Sequence, residues 1–445
     1  MSILDRLAAA GLPGLPRMAW LEIDLGRLEA NLAALRRALP EGNRLDVVVK
    51  ADAYGHGAVP IARALEGFGR PPEGLAVATF DEAVELREAG LELPILVLYP
   101  VPPERAPEAA RRRIALTASD PELLERTLAS LERARFSARA AGRRRSPHRL
   151  DLQIELESGL GRAGILPAEV PAAAARIMAA PGVHLAGIWS HLQAPADRVR
   201  SAGQVALLTG AIGRLAEGGI QVPLGHLGAS GGVLAGSSPP FDGVRIGLGL
   251  YGLLPDELPE VTGPPATPGE QLTGELQPIL ALHARPVRVV DLPAGSGISY
   301  GPSFTTSRPS RIATLPIGYA DGWSRSLSNR AEALVRGRRV PLVGTVAMDA
   351  LMADVTDLPG PAVTVDDEFV LIGGQGNEEI SAAEVARART TISWEVVSAM
   401  ARRLPRVYYA GLVPLSVRTL AGWRQSGSDS TLERRHLRAR GRRDR

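Results

Sequence analysis

The chain has 445 residues, 45% hydrophobic and 22% charged, enough for two or three domains around sizeable cores. It contains no cysteine, which excludes disulfides and thiolate metal sites. The formal net charge is +3, yet residues 424–445 alone carry eight arginines against three acids, so the basic excess is local. That tail reads as a solvated end, and any contact with nucleic acid or an acidic surface is confined to it. A second basic cluster, residues 139–149, carries Gly142 and Pro147 and reads as an exposed loop. No apolar run is long enough to span a bilayer, and the N-terminus lacks a signal-peptide pattern. A cytoplasmic location is therefore expected, with no membrane partner and no metal.

In chain order, residues 1–17 read as a leader lying loosely on the surface. From Met18, short apolar runs alternate with longer amphipathic ones. Strands are expected at 19–23, 47–49, 75–78, 95–99, 150–156, 185–189, 224–227 and 244–246, with helices at 28–39, 59–68 and 81–88. About eight such repeats in roughly 230 residues fit an α/β (β/α)8 TIM-type barrel over residues 18–254. A doubly wound open sheet has the same alternation, and periodicity does not choose between them. Residues 255–277 are rich in Pro, Gly and Glu and read as an exposed linker. Beyond it, short apolar runs at 280–284, 287–292, 312–317, 339–343 and 369–372 are separated by turn residues. They predict a C-terminal, mostly antiparallel β domain over 278–420. Helices are expected at 381–388 and 392–402, and residues 421–445 form the basic tail.

The stretch that carries the most chemistry is Val47-Val48-Val49-Lys50-Ala51-Asp52-Ala53-Tyr54-Gly55-His56-Gly57. Three β-branched residues read as a buried strand, and the glycines as a turn. Lys50 sits where the chain leaves the apolar interior. Partial desolvation there favours the neutral, nucleophilic amine that a Schiff-base lysine requires. Read alone, Lys50 fits better a strand-terminal lysine reaching for water. The whole string resembles the cofactor-lysine motif of the alanine racemases, a pyridoxal-phosphate-dependent family, and the likeness runs from about Met18 to Tyr408.

The resemblance assigns the remaining residues. Arg162, in Glu157-Ser158-Gly159-Leu160-Gly161-Arg162, falls on the arginine that bonds the cofactor's phenolic oxygen and helps hold the substrate carboxylate. His191 falls on the histidine stacked on the pyridine ring, and Tyr54 lies on the loop after the lysine. Ser230, with the amides of Gly228-Ala229-Ser230-Gly231-Gly232 and those at Gly247 and Leu248, resembles the phosphate cradle. Arg245 falls on the arginine facing the pyridine nitrogen. Because arginine stays protonated, it can only donate to that nitrogen, which weakens the ring as an electron sink and favours return of the proton over transamination. Tyr300, in Ser299-Tyr300-Gly301, falls on the second catalytic base. An Arg245–His191–Tyr300 chain of hydrogen bonds is expected to bias the phenol toward that role. Met348, followed by Asp349 in a supporting place, falls on a position whose amide contacts substrate. In the family, Tyr300 and Met348 reach the partner subunit's site, which implies a homodimer with shared sites.

Four positions depart from the family pattern. Glu155 stands where a lysine, often carbamylated, usually bonds the Arg162 equivalent, and it keeps a carboxylate on a shorter arm. Ala229 replaces an asparagine and removes a donor beside the phosphate. Ala347 replaces a small residue, commonly cysteine. Trp394 replaces a tyrosine near the phosphate and substrate, or is simply a core residue on a helix. The implied activity is interconversion of L- and D-alanine by Lys50 and Tyr300, supplying D-alanine for peptidoglycan. The alternatives are a racemase of another small amino acid such as serine, a broad-specificity racemase, or a pyridoxal-phosphate carrier without turnover.

Overall fold

A computed structural model describes residues 2–140, 149–237, 241–255, 258 and 268–426. The basic tail beyond 426, most of the 139–149 cluster and most of residues 256–267 lie outside the described residues. The chain divides into two compact units, Leu28–Pro278 on one hand and Met1–Arg27 with Ile279–Arg445 on the other.

The first strand, β1 (Ala19–Asp24), belongs to the second of these units. The next eight are β2 (Arg44–Val48), β3 (Gly74–Val77), β4 (Ile95–Val97), β5 (Ile114–Ala118), β6 (Leu150–Glu155), β7 (Val183–Trp189), β8 (Gly225–Ala229) and β9 (Gly243–Ile246). They close into a barrel in sequence order, every neighbouring pair parallel. The closure sets aside the open-sheet alternative and leaves no edge.

Alternation along these strands gives the barrel a partly polar interior. Asp46, Gln153, Glu155, His226 and Arg245 are all buried. His226 on β8 reaches Gln153 on β6, past the intervening β7, at 2.7 Å. Gly187 on β7 leaves room for that bond, since a Cβ there would meet Leu224 O at 2.7 Å and Gln153 Cδ at 3.4 Å. On β2 and β9, Asp46 pairs in register with Arg245.

The second unit is built on β10 (Leu280–Ala284), β11 (Arg288–Leu292), β12 (Ser310–Leu315), β13 (Glu332–Val335), β14 (Arg338–Val343), β15 (Leu351–Asp354), β16 (Phe369–Gln375), β17 (Glu378–Ile380), β18 (Arg406–Ala410), β19 (Val413–Thr419) and β20 (Gly422–Gln425). With β1 they form one 12-stranded sheet, in the order β11-β12-β15-β14-β13-β16-β10-β1-β18-β19-β20 with β17 on β16. Its pairs are antiparallel except β1 with β18.

Several expectations change. Residues 19–23, read as part of the barrel unit, pair instead with β10 and β18. An amphipathic strand carries no mark of which sheet it joins; partners distant in sequence decide that. Residues 1–17 are not loosely packed. Helix Ile3–Ala9 opens with a capping box between Ser2 and Asp5. The i, i+4 spacing of Ile3 and Leu7 gives it one apolar face, which packs with Leu12 against Trp20, Val407, Tyr409 and Val417. The 255–277 stretch contains helix Pro268–Glu275, seated by buried Leu272 and Leu276. The barrel also uses β5, a strand the sequence pattern did not single out. Among the described residues no helix is long and apolar enough to cross a membrane.

Candidate active site

Lys50 follows β2 at the C-terminal mouth of the barrel, where (β/α)8 folds carry their chemistry. The chain then makes a left-handed turn, with φ of 53°, 55°, 54° and 52° at Ala51, Asp52, Ala53 and Tyr54. Each non-glycine residue held there costs about 1–2 kcal/mol. Local bonds impose the shape. Gly57 N donates to Asp52 O at 2.7 Å, Ala58 N to Asp52 Oδ1 at 2.9 Å, and Ala51 N to Glu82 Oε1 at 2.6 Å. The turn fixes the backbone that follows Lys50. Burial lowers the Lys50 amine from its ordinary value, Arg162 and Arg245 lower it further, and Glu82 opposes them.

The same turn buries Tyr54, whose ring lies 5.1 Å from that of Tyr251, and Tyr251 Oη donates to Val48 O at 2.9 Å. Burial, then Glu82, pushes the Tyr54 hydroxyl up, so it stays a neutral donor. It lies against Gly247, where a Cβ would overlap it. Ser230 Oγ accepts from Gly247 N at 3.2 Å and Gly249 N at 3.1 Å, which ties the start of helix Ser230–Ala235 to the Gly247–Leu248 turn.

Arg245 is buried and fully engaged. Its Nη2 donates to Ser190 O at 2.7 Å, its Nη1 lies 2.6 Å from His226 Nδ1, and its guanidinium sits 4.5 Å from the Trp189 ring centre. Because Nδ1 of His226 accepts from arginine, its Nε2 carries the proton donated to Gln153 Oε1 at 2.7 Å. Burial, Arg245 and Arg44 drive the His226 imidazole well below its ordinary value and keep it neutral. Burial lowers Arg245 to about 10, with Asp46 and Glu155 opposing, so it remains a cation near neutrality. Within this chain the bonds of Arg245 run to His226, which β8 puts directly beside it, and to Ser190.

His191 follows β7, and burial with Arg245, Arg162 and Lys50 lowers it to about 3. Its loop is held by Gln204 of helix Arg198–Glu217, whose Nε2 donates to His191 O and to Ser158 Oγ at 2.9 Å each. Arg162 is more open, 3.4 Å from Glu155 Oε1 and 5.3 Å from the Tyr99 ring centre. Glu155 is buried, which raises its carboxyl, and Arg162 opposes the rise.

Lys50, Tyr54, Glu155, Arg162, His191, Ser230, Arg245, Gly247 and Leu248 therefore share one barrel mouth. Tyr300, Met348, Asp349 and Trp394 belong to the sheet unit. Tyr300 is 77% exposed and Met348 52% exposed. Ser299, at φ 65°, anchors the Tyr300 turn by donating from Oγ to Thr345 O at 2.7 Å. Asp349 Oδ1 pairs with Arg403 at 2.6 Å, and Trp394 lies half-buried on helix Ser393–Ser398.

Residues 23–255 match the model of the alanine racemase N-terminal domain, and residues 279–408 that of the C-terminal domain. The chain belongs to the alanine racemase family. A curated alanine racemase of Symbiobacterium thermophilum is 40% identical over 396 residues, covering 88% of this chain and 97% of that one. That of Syntrophobacter fumaroxidans is 36% identical over 396 residues, covering 88% and 98%. Among solved structures, alanine racemase from Bacillus anthracis with bound L-Ala-P superposes with a TM-score of 0.79 at 32% identity, covering 92% of this chain and 99% of that one. The enzyme from D-cycloserine-producing Streptomyces lavendulae gives 0.76 at 32% identity, covering 89% and 98%.

Sequence reasoning passed over Gln153, His226 and Gln204 in this alanine racemase chain. Their signal was weak. His226 and Gln153 occupy alternate strand positions that look like ordinary polar, outward ones, and only barrel closure turns them inward.

Proposed function

We infer that this chain is a pyridoxal-phosphate-dependent racemase that interconverts L- and D-alanine, with Lys50 and Tyr300 as opposed bases. What carries the reading is the lysine itself, an amine lowered by burial and by the charges of Arg162 and Arg245, at the start of a strained turn. The surrounding donors fit the cofactor. Ser230 with the Gly247–Leu248 turn suits a phosphate, Arg162 an anionic phenolic oxygen, and Arg245 an unprotonated ring nitrogen. Gly247 supports this fit, since any side chain there would displace Tyr54.

When bound, the cofactor holds the amino acid covalently and takes up the electron pair left at its α-carbon. The protein governs where the proton goes. Lys50, whose proton is held less tightly because of desolvation, removes the α-proton from the D-isomer on its face. Tyr300 of a partner subunit removes it from the L-isomer on the other. Once either base has taken the proton from its own face, the other delivers a proton to the opposite face, which inverts the α-carbon. Arg245 keeps its proton near neutrality and donates only a hydrogen bond, while neutral His226 holds it in place. His191, neutral as well, adds no charge beside the reacting centre. Glu155 takes the place of a carbamylated lysine beside Arg162. The exposure of Tyr300 and Met348 agrees with a homodimer in which each subunit completes its partner's site. We place the enzyme in the cytoplasm, supplying D-alanine for peptidoglycan.

Trp394 and Ala229 favour a second reading, racemisation of another small amino acid such as serine. Turnover of L-alanine, L-serine and larger amino acids by the purified holoenzyme separates the two. Borohydride reduction and then peptide mapping test the cofactor linkage. Alanine as the best substrate and a label on Lys50 are expected; alanine among the poorest, or a label elsewhere, overturns the reading.

A further inference from the structure

Arg17 lies ahead of the residues that match the family's N-terminal domain, which begin at 23. It nevertheless makes the densest polar contact of the N-terminal segment. Its Nη1 donates to Asp321 Oδ1 at 2.6 Å, and its Nη2 to Asp321 Oδ2 at 3.2 Å and Pro316 O at 2.9 Å. Asp321 is fully buried, and Arg403 Nε reaches its Oδ1 at 2.7 Å. Burial pushes this carboxyl up, but the bonds from Arg17 and Arg403 outweigh burial and hold it below its ordinary value.

The carboxylate organises a turn. Asp321 Oδ2 accepts from Gly318 N at 3.1 Å, and Asp321 O from Ala401 N at 3.0 Å. On that turn rests the loop of Met348. Tyr319 N donates to Ala347 O and Ala320 N to Met348 O, both at 3.1 Å. Contact is close enough that a Cβ at Gly318 would meet Met348 O at 2.5 Å. Arg403 grips the far side of the loop through Asp349 at 2.6 Å.

We propose that Arg17 is a positioning residue, bracing Asp321 so that the 318–321 turn holds the Met348 loop where its amide meets substrate. This rests on the reading above that Met348 faces the substrate. The planar fork matters because two parallel bonds fix orientation, which a lysine cannot do. Displacing the Met348 amide by even an ångström takes it out of hydrogen-bond geometry with the substrate and weakens binding.

The test uses the full-length holoenzyme with Arg17→Ala, Arg17→Lys and, as a comparison, Arg6→Ala. Arg6 pairs with Glu22 at 2.8 Å and lies over the Tyr409 ring, so its loss loosens the same segment without touching Asp321. Hydrogen exchange at the Tyr319 and Ala320 amides is expected to quicken about tenfold in Arg17→Ala and less in Arg17→Lys, and to stay unchanged in Arg6→Ala. KM for alanine is expected to rise about tenfold in Arg17→Ala, with kcat changed far less. Should Arg17→Ala fail to fold, Arg17→Lys carries both readouts. Unchanged exchange, or an unchanged KM with only a lower Tm, overturns the proposal. A wild-type protein inactive on alanine instead sinks the functional reading, while the exchange measurement still decides whether Arg17 holds the turn.

Discussion

Lys50 and Glu155 show how far burial alone prepares a residue. Both lose solvent at the barrel mouth, which pushes the amine and the carboxyl each toward its neutral form. For Glu155 the sign with pH is definite. The folded protein binds this proton more tightly than the unfolded chain, so ionisation opposes folding. That cost is absent below the ordinary glutamate range and grows as pH rises through it toward the raised folded value. Glu155→Gln is therefore expected to raise Tm at pH 7 relative to wild type, with little difference at pH 4, measured by calorimetry. The same change removes the anionic partner of Arg162, a partly exposed pair at 3.4 Å, and KM for alanine is expected to rise about two- to fivefold. A variant with equal Tm offsets at both pH values contradicts the assignment. The place of Lys50 at a strand end was legible from the valine run and the glycine-rich turn, and its role only from the family resemblance; the neutral His226 beside Arg245 was not, because a strand position does not declare which way it faces.

The left-handed turn after β2 is the element that converts a strand end into a fixed amine. Its four positive φ values are held by backbone bonds and by Asp52 and Glu82, not by glycine. Ala51→Gly is expected to relieve up to about 1 kcal/mol of strain and raise Tm slightly. The price is a looser Lys50 and a lower kcat, read together by calorimetry and racemisation kinetics. A lower Tm would mean the turn is unstrained. The glycines of this stretch announced a turn, yet its handedness sits on Ala51, Asp52, Ala53 and Tyr54, residues whose types predict none. β5, Ile114-Ala115-Leu116-Thr117-Ala118, is bounded by the turn residues Ser119-Asp120-Pro121, but two of its five residues are alanine, a type that does not favour strands.

At the scale of the whole molecule, the barrel was legible because seven of its eight strands stand out as apolar runs in the sequence. The membership of β1 and of residues 1–17 was not, since both depend on partners nearly the full chain away. Leu7, buried between Trp20 and Val417, carries that long-range contact. Leu7→Ala is expected to cost about 2–5 kcal/mol in denaturant unfolding, and a loss below about 0.5 kcal/mol would mean the N-terminal helix is not docked. The proposed chemistry also belongs to this scale, because it needs a lysine from one subunit and a tyrosine from its partner. The most direct test measures α-hydrogen exchange of L- and D-alanine in deuterium oxide with wild type and Tyr300→Phe. The expected result is wild-type exchange from both enantiomers, and in Tyr300→Phe a loss confined chiefly to L-alanine, with Lys50 still exchanging D-alanine. Equal loss from both enantiomers, or none, would contradict two bases on opposite faces.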